Sequence, residues 1–193
     1  MNVTISRRNS KLGHVVNVSL PPIKACIPGV PCARECYACK AYRLYPNSRW
    51  AWDKNLLLAQ NYRGAYFGDI REFLASEFES VNLFRWHTAG DIIDQDYLDN
   101  MVKIVLEFPT MRFLAFTKNH GLDYSNLPAN ISVVFSMWVG WGDTEMSMPR
   151  AWYQDGNKSR VPTDAMECFG KCDECGLCWY LKDLGRDVVF HKH

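Results

Sequence analysis

Cys26-Ile-Pro-Gly-Val-Pro-Cys32-Ala-Arg-Glu-Cys36-Tyr-Ala-Cys39 gathers four cysteines into one short stretch rich in loop-forming residues. A second group, Cys168, Cys172, Cys175 and Cys178, lies far along the chain, and no cysteine falls between Cys39 and Cys168. Eight thiols in two tight groups make a poor disulfide framework, because such frameworks belong to short secreted chains with widely spread cysteines. Residues Met1 to Lys11 are polar and lack the apolar core of a secretory signal, so a reducing, cytoplasmic setting is expected. In that setting four clustered thiols point to a metal ion or a cluster. Zinc and iron–sulfur both accept four thiolates. Zinc knuckles usually come as two pairs about a dozen or more residues apart, and neither group is so divided. A compact run in one loop suits a [4Fe–4S] cubane better. For Cys168-x3-Cys172-x2-Cys175-x2-Cys178 the choice between a second iron–sulfur cluster and zinc stays open.

Working outward, the remaining sequence reads as an α/β chain. It has 193 residues, a net charge of +1 and 48% hydrophobic residues, enough for one domain with a real core. No apolar run is long enough to span a bilayer, so no membrane partner is expected. Near-zero charge gives no general drive toward nucleic acid. The small mixture of Arg43, Trp50, Trp52 and Lys54 contains aromatics that read as core, and Arg7, Arg8 and Lys11 make only a short basic start. His14 to Leu20 alternates as a strand and runs into a loop enforced by Pro21, Pro22, Pro28, Gly29 and Pro31. Helical spacing predicts helices over Arg49–Tyr62, ended by Gly64, and over Ile70–Phe78. A strand over Asn82–His87 precedes a helix over Gln95–Glu107, with Asp94 as its N-cap and Pro109 beyond its end. Strands follow at Met111–Thr117, Ile131–Ser136 and Asp187–Phe190, with Trp138–Arg160 irregular. Alternating strands and helices imply a parallel sheet. The expected layout is an α/β core over residues 1–160 carrying the first cysteine loop, and a cysteine-rich segment over residues 161–193, together one compact domain.

Ligands of open parallel sheets bind beyond the carboxyl ends of the strands. Three such ends carry polar residues: His87-Thr-Ala-Gly90-Asp91, Thr117-Lys118-Asn119-His120, and Ser136. Each has a plain structural reading as well. Gly90 fits a tight turn, Asp91 a helix entry, Lys118 a solvated turn, and Ser136 a cap. Lys118 could meet a carboxylate or phosphate and Asn119 a ribose. Arg85 and His87 alternate with Phe84 and Trp86, so one face of that strand is polar. A buried arginine needs an anionic partner, either a bound ligand or Asp91. His87 also fits a satisfied core histidine. The sequence holds no phosphate loop, no HExxH motif and no recognisable Ser-His-Asp arrangement. Asp94 and Asp96 read as helix-start residues, and His191 and His193 as a terminal tail.

Cys32-x3-Cys36-Tyr37-Ala-Cys39 resembles the C-x3-C-x2-C motif of radical S-adenosylmethionine (SAM) proteins. The resemblance implies a shortened, partial (β/α) barrel of parallel strands with a C-terminal cysteine-rich appendix. It implies three thiolates on a [4Fe–4S] cluster whose fourth iron chelates SAM, and an electron donor as partner. It puts Tyr37 near the adenine, and Gly90, Asp91, Thr117 and Ser136 near SAM. Cys26-Ile-Pro-Gly, Phe84-Arg-Trp-His-Thr-Ala-Gly-Asp91, Phe116-Thr-Lys118 and Cys178-Trp179 add a second likeness, to the bacteriophage-encoded gene product eighty-eight family, over residues 10–180. That likeness implies a viral protein in the host cytoplasm, host or viral protein partners, and a cluster, but no reaction. It also implies Cys26, Cys32 and Cys36 as an alternative ligand set to Cys32, Cys36 and Cys39. The chain is short for a complete six-unit barrel.

Overall fold

Strands β1 (Ile5–Ser6), β2 (Val16–Val18), β3 (Leu83–Trp86), β4 (Arg112–Thr117), β5 (Ile131–Met137), β6 (Arg150–Tyr153), β7 (Met166–Glu167) and β8 (Val188–Phe190) form one sheet. Their order is β1-β2-β3-β4-β5-β6-β8-β7. Only the β1–β2 pairing is antiparallel; every other pairing is parallel. The helices are α1 (Tyr37–Leu44), α2 (Pro46–Asn61), α3 (Arg63–Ser76), α4 (Gln95–Glu107), α5 (Cys172–Cys175) and α6 (Leu181–Leu184). The computed structural model describes residues 2–9, 11–138, 140–141, 147–153 and 161–190. His191 and His193 lie outside them, as do residues 154–160. No helix among the described residues is long and apolar enough to cross a membrane.

Strand order follows chain order from β1 to β6. Right-handed crossovers that all step the same way put their helices on one face. The side chains agree. Val16, Val18, Phe84, Trp86, Phe113, Ala115, Val133 and Phe135 pack with α2, α3 and α4 in the larger core. Their alternating neighbours Val15, Leu114, Val134 and Ala151 face the other way, into a smaller core with Leu12, Trp179, Leu181 and Val188. The period of two in the strands therefore sorts the sequence between a helix-covered face and an inner face.

The expected strands at 82–87, 111–117, 131–136 and 187–190 all form, shortened or lengthened by a residue or two. Asp94 caps α4, accepting from the Tyr97 N–H at 2.8 Å. Other expectations need correction. Gly64 does not end a helix: the break falls at Tyr62, and Gly64 lies inside α3. The earlier start of α3 is fixed by Arg63, whose Nε donates to the Ala59 carbonyl while its other nitrogens fork onto Asp94. Within the stretch expected to be irregular, Arg150–Tyr153 is a strand. Tertiary bonds supply what local pattern lacks: Asp187 accepts from the Arg150 N–H and from the Trp152 indole, both at 2.8 Å. Trp50 is not core; it is 65% exposed, with the Lys54 ammonium 4.5 Å from its ring centre. The cysteine-rich C-terminal segment is woven into the sheet through β7 and β8 and buries Trp179 beneath it.

Candidate functional site

The Pro- and Gly-rich loop after β2 carries the first cysteine group across the carboxyl edge of the sheet. Two backbone bonds tie it to the loop after β3: Leu20 N–H to the Ala89 carbonyl at 3.0 Å, and Asp91 N–H to the Ala25 carbonyl at 3.1 Å. Gly90 is required at this crossing. Its φ is +80°, and a Cβ there would stand 2.6 Å from the Leu20 Cβ. The chain then makes a short 3₁₀ turn over Pro31–Glu35 and enters α1 at Tyr37.

Beneath this loop lies a cavity of about 270 Å³. Cys26, Cys32 and Cys36 line it; Cys39 does not. Of the residues singled out in the sequence, Tyr37, Arg85, His87, Gly90, Asp91, Lys118 and Ser136 share the cavity. Thr117 does not: its hydroxyl donates to Asp91 at 2.6 Å and accepts from the Asn119 N–H. Asn119 is a framework residue, its amide held by the Ile92 carbonyl, rather than a ribose contact. Sequence reading missed Phe116, Trp138, Tyr153 and Phe190, which also line the cavity. The signal was present in β4, where Phe116 follows Leu114 by two, but Trp138 and Tyr153 come from the stretch read as irregular.

Asp91 is a strut. One oxygen accepts from Thr117 and the Ile92 N–H, the other from the Lys118 N–H at 2.8 Å. Burial raises its carboxyl even so. It is thus occupied at the ends of β3 and β4 and is not the partner that Arg85 needs. Burial, reinforced by Asp91, pushes the Cys26 thiol up to about 12. Burial also raises Cys32, while the Lys118 ammonium hydrogen-bonds it and acts in the opposite sense. Metal binding here would release protons. The Tyr37 hydroxyl donates to the Thr88 carbonyl at the rim, though the residue as a whole is 70% exposed.

His87 sits at the end of β3 with φ +58°, a strained region for a residue with a side chain. Its Nε2 meets the Tyr97 hydroxyl at 2.9 Å, and Tyr97 meets Tyr66 at 2.8 Å. Burial, helped by Arg85, lowers its pKa from 6.5 to about 3. The unfolded chain then holds one more proton between those values, so folding stability is expected to fall as pH drops from about 6.5 toward 3. Urea titrations at pH 7, 5 and 4 check this. A His87→Asn variant, which tolerates the backbone angle, should lose that part of the slope; an unchanged slope would refute the assignment.

The second cysteine group surrounds a separate, smaller cavity of about 30 Å³, lined by Cys168, Cys172, Cys175 and Cys178. It is pinned by Cys172 N–H to the Lys11 carbonyl and Cys168 N–H to the Val189 carbonyl. Burial holds the Cys178 thiol at about 12. Among the described residues, no three His, Cys, Asp or Glu side chains stand ready in metal-ligand geometry.

Fold and site together define a cysteine-rich α/β protein whose mostly parallel sheet carries a thiol-lined cavity at its carboxyl edge. The chain belongs to the gene product 88 family, whose model matches residues 3–167. No curated protein and no solved structure matches it.

Proposed function

We propose that the protein is a viral-type iron–sulfur protein that holds a [4Fe–4S] cluster on Cys26, Cys32 and Cys36 and cleaves SAM reductively. One observation carries the reading: these three thiols, and not Cys39, face one cavity at the carboxyl ends of parallel strands. Soft thiolates in a single loop are the donor set such a cluster takes. Sequential strand order with helices on one face supports the finer reading of the sheet as a partial (β/α) barrel. A cluster held by Cys26, Cys32 and Cys36 would supply the single electron that reductive cleavage of the SAM sulfonium requires.

The chain's own residues would order the site. Gly90 lets the cysteine loop approach the sheet, and Asp91 locks the two strand-end loops beneath it. Tyr37 at the rim and Ser136 on the floor are the contacts for a nucleoside. The four C-terminal thiols would hold a second cluster or zinc, and a partner protein would deliver the electron.

Anaerobically purified protein should contain iron and acid-labile sulfide in equal amounts. SAM should alter the electron paramagnetic resonance spectrum of the reduced cluster, and dithionite should then yield 5′-deoxyadenosine. Stoichiometric zinc without iron would overturn the iron–sulfur reading. An intact cluster blind to SAM would reduce it to electron transfer or structure.

A further inference from the structure

Two residues that line the cavity each hold a buried nitrogen without a partner: Arg85 Nε and His87 Nδ1. Both residues are more than nine-tenths buried, at 9% and 3% exposed. An arginine is always charged, and a buried charge left unpaired is costly. Asp91, the partner expected for it, is fully engaged by Thr117, Lys118 and Ile92. The Arg85 guanidinium instead lies 4.9 Å from the centre of the Phe116 ring, which fixes its plane.

The proton inventory of the tyrosine chain determines what His87 presents. If Tyr66 donates to Tyr97 and Tyr97 donates to Nε2, every hydroxyl hydrogen is used. The reverse order leaves the buried Tyr66 hydrogen without an acceptor among the described residues. A neutral ring accepting at Nε2 carries its hydrogen at Nδ1. The cavity floor thus offers an N–H donor beside a guanidinium.

We propose that Arg85 and His87 form a carboxylate subsite, so that the substrate of this cavity is a small organic carboxylate. Its carboxylate would lie on the Arg85 fork and the His87 Nδ1–H. Its apolar part would lie against Phe116, Phe190 and the stacked pair of Trp138 and Tyr153, whose rings are 4.5 Å apart. A planar guanidinium is matched to a carboxylate, and the aromatic walls disfavour a fully hydrated anion. The proposal rests on the reading above for taking this cavity as the reaction chamber. Arg85 also exerts its field on Cys172 and Cys178, so a duty to the second cysteine group alone is the competing account. His87 favours the cavity, because it carries an unpartnered nitrogen, lines this cavity and does not line that of the second group.

Calorimetric titration of the anaerobically purified protein with benzoate tests this, with benzamide as the neutral isostere. Benzoate should bind and benzamide should not. Arg85→Met should weaken benzoate by about tenfold or more, while Arg85→Lys and His87→Asn lose less. Equal binding of the two probes, no benzoate binding, or unchanged affinity in Arg85→Met would overturn the subsite. An Arg85→Met protein that sheds metal from the second group yet binds benzoate normally would assign Arg85 to that group and overturn the subsite. Saturating SAM should leave benzoate binding intact; displacement would assign the subsite to the carboxylate of SAM and overturn the substrate. Iron measured on the same sample separates the two proposals. Benzoate binding without iron sinks the cluster alone, and iron without benzoate binding sinks the subsite alone.

Discussion

Cys26→Ala is expected to strip iron from the N-terminal site, and Cys39→Ala to retain it. The ordinary motif reading predicts the reverse. Two geometric facts favour Cys26. Its thiol faces the cavity with Cys32 and Cys36, while Cys39 sits beyond the cavity wall on the first turn of α1. Ala25, next to it, is anchored by the Asp91 N–H, so the loop holds Cys26 over the strand ends. Cys39 stays in contact with the group through its thiol hydrogen bond with Cys36, and both Cys26 and Cys39 lie in the field of Cys32 and Cys36, so the field does not choose between them. A three-thiolate site that loses one ligand should keep little cluster, so Cys26→Ala should lose the N-terminal cluster's share of iron and visible absorption, whatever the second group retains. Iron analysis and absorption of both variants, purified without oxygen, check this. Iron kept by Cys26→Ala and lost by Cys39→Ala would restore the ordinary ligand set and reassign the cavity.

Trp179→Ala should be the most damaging single change in the C-terminal segment, at about 3–5 kcal/mol. The indole is 1% exposed and fills the inner face of the sheet beside Leu114, Val134 and Val188. Its Nε1–H donates to the Phe84 carbonyl at 2.9 Å, and its own carbonyl accepts from Ser132 at 3.0 Å. Removing the indole leaves a void and strips the buried Phe84 carbonyl of its side-chain donor, while the Ser132 bond to the main-chain carbonyl stays available. Thermal unfolding should show one cooperative transition at lower temperature. A lone early transition of the C-terminal segment, with the main melting unchanged, would show instead that the segment folds apart from the sheet.

The sequence was most legible where local pattern and tertiary demand agree. The helix over Gln95–Glu107 has a good cap, an amphipathic face and a proline beyond it, and its limits were read without error. The strands carrying Phe84, Phe113 and Ile131 were readable for the same reason. What escaped reading depends on partners distant in sequence. The strand at Arg150–Tyr153 needs Asp187, and the start of α3 needs Asp94. The site was legible as residue types at strand ends, but not as roles. Asp91 and Thr117 look like ligand contacts in the sequence, yet they bond to each other. For Arg85 the sequence offers a bound ligand or Asp91 as the anionic partner, and the structure removes Asp91 from contention. Cys39 matches a motif spacing, and spacing does not say which way a thiol faces.

The placement of β8 between β6 and β7 bears on the timing of biogenesis. The second cysteine group is synthesised before Val188–Phe190, yet β7 pairs with β8, and the Cys168 amide is held by Val189. Until that strand leaves the ribosome, the group has its anchor at Lys11 but lacks the one that holds Cys168. If the second group takes a metal or cluster, its site is complete only after translation has passed residue 190.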